Sequence, residues 1–172
     1  MPLLLRRAFV AASLTWMALL VVAPFLASRP HASALGTALV VAVYGAGSLV
    51  CHQLPARSYR LWTAQMPVCA RCAGIYLGAA AAAILLSMAQ PIRAARAAVG
   101  RTEGLNVARR LQPSVSAARL VVAAAVAPTA LTLVYEWTTG VTPSNAVRFA
   151  AGLPIGLAVA WLVVSAATDQ VN

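Results

Sequence analysis

The sequence predicts an all-α, polytopic transmembrane helical bundle, and three observations carry that prediction. Hydrophobic residues make up 62% of the 172 positions and charged residues only 9%. One soluble core of this size cannot take up so much apolar surface, so a second apolar solvent is required. About five runs approach the roughly 20 apolar residues a helix needs to cross hydrocarbon: residues 9–27, 32–50, 73–89, 120–135 and 149–167. None holds a charged residue, and their Ala, Leu and Val content suits helices better than the alternation of a barrel strand.

The first run, Phe9 to Ala27, follows Arg6 and Arg7 and leads into Ala32-Ser33-Ala34, an arrangement that resembles a cleaved secretory signal. Its apolar part exceeds the roughly 7 to 15 residues of a signal core, which favours a retained helix. The second run ends at Cys51-His52-Gln53, and Pro55 prevents the helix from continuing. Residues 53–68, with Arg57, Tyr59, Arg60, Trp62 and Gln65, are too polar to cross; they suit the interfacial belt or a fold back over the helix ends. Pro67 then stands before Cys69-Ala70-Arg71-Cys72, where the third helix should start.

Residues 90–119 read as an Arg-rich loop, with Arg93, Arg96, Arg101, Arg109, Arg110 and Arg119, interrupted by Gly100, Gly104 and Pro113. The fourth run contains Pro128, a candidate kink, and closes at Tyr135-Glu136-Trp137; a turn over residues 138–145 leads through Arg148 into the fifth. The chain is read as a single transmembrane domain. Five crossings put residues 51–72, Glu136 and Arg148 on one surface and the Arg-rich loop on the other. The positive-inside rule then assigns the loop to the cytoplasm of a bacterial inner membrane and the cysteine face to the outside.

The net charge of +10, from thirteen Arg against Glu103, Glu136 and Asp169, would point to nucleic acid in a soluble protein. Here topology and anionic lipid headgroups account for it, and no interleaved aromatics support nucleic-acid binding. Gly74 and Gly78 on the third run, and Gly152 and Gly156 on the fifth, form Gly-x-x-x-Gly faces. These let helix backbones approach closely, so the third and fifth helices should pack together, and the same faces could join two copies in a homo-oligomer.

Chemistry, if present, should lie where Cys51, His52, Cys69 and Cys72 meet. Cys69 and Cys72 fall three residues apart on a first helical turn and share a face, where the helix dipole and Arg71 stabilise thiolate. Cys51 and His52 leave the preceding helix at the same surface, so three thiols and an imidazole could complete a tetrahedral set for zinc or iron. A disulfide involving Cys51 and three unrelated buried thiols remain open as the plainer readings. Glu136, the only acid near that surface, needs a cation: Arg57, Arg60, Arg71 or Arg148 could supply it. A structural ion pair is the plain reading, and a proton acceptor or metal ligand beside the thiols the sharper one. Cys69, Cys72 and Glu136 are thus the catalytic candidates, and the four Arg an anion or headgroup site. Asn145, with its bifunctional amide, could line the same pocket, and its plainer reading is a turn with Pro143 and Ser144.

Cys51-His52-Gln53-Leu54-Pro55-Ala56-Arg57-Ser58, followed by Cys69-Ala70-Arg71-Cys72-Ala73-Gly74-Ile75-Tyr76-Leu77-Gly78, resembles a family of uncharacterised prokaryotic membrane proteins. Its signature reads C-H-Q-x-P-x-R-S, then C-A-R-C-x-G-I-Y-x-G. The resemblance is strong over residues 51–78 and weaker over 128–156. There Arg148 and Gly152 match a later element, while the family's Asp-Gly is missing after Pro128; the first run and the Arg-rich loop lie outside it. What it implies is a small helical membrane protein with a Cys/His motif in a domain of unknown function, and no reaction. Three functional classes follow. They are a membrane-surface metal site, a membrane thiol-disulfide oxidoreductase using Cys69 and Cys72, and a structural or transport component without chemistry.

Overall fold

The structure, a computed structural model, describes residues 2–31, 33–99 and 115–169. Among the described residues it is an all-α bundle of five helices: α1 (Pro2–Ala27), α2 (Ala34–Val50), α3 (Ala70–Val99), α4 (Val115–Thr139) and α5 (Asn145–Asp169). Four of these, α1, α3, α4 and α5, contain segments long and apolar enough to cross a membrane. The expected second span is the exception. α2 has 17 residues, about 25 Å of helix against a hydrocarbon core of about 30 Å.

Helix ends differ from the sequence expectation in the Arg-rich region. α3 continues past Ala89 to Val99, and α4 begins at Val115, so both flanks of the expected loop are helical. Residues 100–114, with Arg101, Arg109 and Arg110, lie outside the described residues, as does Ala32 within the candidate cleavage sequence. α4 runs through Pro128 and α5 through Pro154 as single helices. In lipid such breaks are tolerated when neighbouring groups re-satisfy the backbone. Directly after Pro128, Thr129 Oγ1 donates to the Ala151 carbonyl of α5 at 2.8 Å.

The polar stretch after α2 folds back over the helix ends, one of the two options the sequence allowed. A 3-10 turn (Pro55–Arg57) precedes a two-stranded antiparallel hairpin of β1 (Arg60–Leu61) and β2 (Ala64–Gln65). The hairpin itself was not foreseen. Its two central residues, Trp62 and Thr63, have φ of +48° and +74°, as a type I′ turn demands, but lack the Asn or Gly that usually announces one. Phe25 of α1 braces the turn by packing edge-on against Trp62 at 5.3 Å.

α3 and α5 make the most extensive helix pairing, and their glycines explain it. A Cβ on Gly74 or Gly78 would run into the Phe149 or Leu153 carbonyl, and one on Gly152 or Gly156 into the Arg71 or Ile75 carbonyl. The expected α3–α5 contact is therefore present. Because the two glycine faces fill each other within one chain, they are not available as the homo-oligomer faces the sequence offered. A core of Leu20, Met66, Val68 and Ala73 forms where α1, the chain leaving the hairpin and α3 converge, with Trp16, Cys51, Tyr59, Cys72, Tyr76 and Phe149 packed against it.

Candidate metal centre

The site begins with a chain reversal. Cys51 ends α2 in an extended conformation, its N–H still donating to Gly47 at 2.9 Å. Gln53 follows at φ +48°, a left-handed position uncommon for a side chain with a Cβ. Its amide repays that strain. Nε2 donates to the Tyr44 carbonyl at 2.8 Å and to the Pro67 carbonyl at 2.7 Å, tying the end of α2 to the entrance of α3. Gln65 Nε2 donates to the Gln53 carbonyl at 2.6 Å, and the Tyr44 hydroxyl donates to the Gln65 carbonyl. Gly47 is needed for this closeness, since a Cβ there would meet the Pro67 carbonyl oxygen and the Gln53 amide.

This clamp brings Cys51 against the first turn of α3. The Cys69 N–H donates to Cys51 Sγ at 3.2 Å. The ligand sulfurs of Cys51, Cys69 and Cys72 all lie within 4.8 Å of one another. All three are free thiols and half-buried. Cys69 is the N-cap of α3, its carbonyl accepting from Ala73 N at 2.9 Å. Its thiol is held far below the ordinary range, to about 5, first by a hydrogen bond from the Cys72 side chain, against the opposing effect of burial. The Cys72 and Arg71 N–H groups and the Cys51 thiol add to the lowering. A helix N-terminus is well suited to hold a thiolate in this way.

His52 does not join the sulfurs. Its side chain is exposed, and no imidazole is among the converging ligand atoms. Glu136 is not among them either. It is buried on α4, where Arg148 Nη2 donates to Oε2 at 2.8 Å and Arg57 pairs with Oε1. The Thr142 hydroxyl reaches Oε1 at 3.5 Å. The plain expectation for Glu136, an ion pair, is thus the arrangement seen, with Arg148 and Arg57 as its cations. Arg71 turns to the Thr132 hydroxyl at 3.0 Å, and exposed Arg60 braces the hairpin by donating to the Thr63 carbonyl at 3.3 Å. The four Arg therefore do not converge on one anion site. Asn145 Nδ2 donates to the Ser58 carbonyl at 3.3 Å, linking the start of α5 to the segment after α2.

Sequence reasoning missed Tyr44, Gly47, Gln53, Gln65 and Thr132. Only Gln53 carried a signal, through its place in the Cys-His-Gln motif; the others are ordinary residues of apolar or polar stretches whose role exists only once the chain is folded.

Comparison with known proteins supports a membrane protein. Residues 51–162 match the family described as predicted membrane protein DUF2085. The match takes in the Arg-rich region, which the motif resemblance had left out. An uncharacterised protein of Methanocaldococcus jannaschii is 41% identical over 56 residues, 33% of this chain and 36% of that protein. The matched segment thus spans about a third of that curated relative. No solved structure matches.

Proposed function

This chain belongs to the DUF2085 family of membrane proteins, and from that premise we propose that it binds one thiophilic metal ion, zinc or iron, through Cys51, Cys69 and Cys72 at a membrane surface. The supporting observation is the convergence of all three cysteines of the chain, from two segments 18 residues apart, to within 4.8 Å. Tetrahedral zinc–thiolate bonds of about 2.3 Å place sulfurs about 3.8 Å apart, so small side-chain rotations suffice to close the set. Three thiolates around a divalent cation leave one negative charge beside the positive end of α3, and the Cys69 N–H already donates to Cys51 Sγ. With His52 exposed, the fourth position is left to water or an exogenous ligand. That openness is characteristic of metal sites that act on a bound group and uncommon in purely structural ones.

A second reading has its own support. The acidic Cys69 thiol beside Cys72 has the make-up of a redox pair, in which the thiolate attacks and its neighbour resolves. Thiol counting with a mass tag separates the two. In the metal reading, the cysteines of reduced protein gain reactivity when a chelator is added. Full reactivity without chelator, lost on oxidation and restored by reductant alone, favours the redox pair and contradicts the metal centre.

A further inference from the structure

α2 enters and leaves at the same end of the bundle. α1 and α3 run antiparallel, with Trp16 against Tyr76 at 5.9 Å and Leu20 in one cluster with Val68 and Ala73. Phe25, nearer the end of α1, packs on Trp62 of the hairpin that precedes α3. The second half of α1 therefore lies beside the entrance of α3. α2 starts a short turn after α1 stops, and it ends where Gly47 abuts Pro67 and Cys51 meets Cys69, at that same entrance.

Apart from a stripe of Gly36, Val43 and Gly47, α2 is largely uncovered, with Leu35 83%, Val41 67% and Leu49 87% exposed. It holds no charged residue. In water such a face would be a large apolar patch. A helix satisfies its own backbone and can rest in hydrocarbon. At its ends stand groups that favour the headgroup region: Arg29 and His31 before it, and exposed Trp62 and Arg60 on the adjoining hairpin.

We infer that α2 is an interfacial helix that does not cross, its uncovered face docked into the bilayer leaflet on the cysteine side, so that the chain crosses the membrane four times. The N-terminus, the Arg-rich region and the C-terminus then share one side, the cytoplasm. This assignment strengthens the charge asymmetry. Five crossings place seven Arg on the cytoplasmic side (Arg29 and the six of residues 93–119) against six opposite. Four crossings place eight there (Arg6 and Arg7 with those six) against five: Arg29, Arg57, Arg60, Arg71 and Arg148. Two of those five are engaged with Glu136. The bias required by the positive-inside rule is correspondingly clearer. None of this rests on the metal reading.

Epitope tags on the full-length chain test it. Antibody should reach tags at both termini only after permeabilisation, and a tag inserted after Pro30 in intact cells. Termini on opposite sides would overturn the inference, and that comparison needs no insertion. Both termini accessible in intact cells would overturn the cytoplasmic assignment. A spin label at Leu49→Cys should be relaxed by oxygen, which partitions into lipid, and little by a water-soluble nickel chelate. Strong relaxation by the chelate, or efficient cross-linking between copies through that position, would overturn the lipid-docked placement.

Discussion

At the scale of single residues, the centre depends on small polar commitments. The Cys69 thiol is lowered to about 5, so above that pH it is mostly thiolate and below it the proton returns. In reduced, metal-stripped protein the alkylation rate at Cys69 is therefore expected to stay level between about pH 6 and 8 and to fall as pH drops through about 5. An ordinary thiol would instead lose about tenfold per unit across the neutral range. Gln53 holds two carbonyls from different elements. Gln53→Ala leaves both without that donor, with an expected loss of about 1–3 kcal/mol in thermal or denaturant unfolding, and weaker metal retention in dialysis. Glu136 neutralises the buried Arg148. Glu136→Gln should cost about 3–5 kcal/mol by stranding that guanidinium, and adding Arg148→Met should recover much of the loss. Recovery tracked by melting temperature would separate this structural role from a catalytic one.

The elements show which parts could be read from sequence and which could not. Long uncharged runs announced α1, α3, α4 and α5 because lipid imposes the same requirement on every crossing helix. α2 is where that rule reads least clearly. Its 17 uncharged residues satisfy the composition of a span but fall short in length, and the contacts of Gly47 and Cys51 with the α3 entrance are what support its return to the same end of the bundle. The Gly faces of α3 and α5 were legible because spacing alone puts such residues on one stripe. Gly156→Leu should therefore separate the two helices and lower folded yield in detergent, whereas Gly45→Ala, where a Cβ meets nothing within 4 Å, should be tolerated. The hairpin was illegible because Trp62 and Thr63 take left-handed positions without turn-forming side chains. Thr63→Gly relieves one of them and is expected to raise the melting temperature modestly.

For the whole molecule, the helices hold the segment from α2 to α3, with its three cysteines, at one end of the bundle. α1, α3 and α5 supply apolar walls, while the segment from α2 to α3 brings Cys51 under Cys69 and Cys72. Sequence clustering exposed the three thiols because motif spacing constrains them locally. It overreached with His52, since adjacent residues at an extended helix end point apart and that side chain is exposed. Metal content tests the central claim most directly. Elemental analysis of protein purified without chelator should find about one zinc or iron per chain, and far less in a Cys51→Ser, Cys69→Ser, Cys72→Ser variant recovered in the same folded, detergent-soluble form. Equal content in the two proteins, or no metal in the first after purification and reconstitution with either ion, would contradict it.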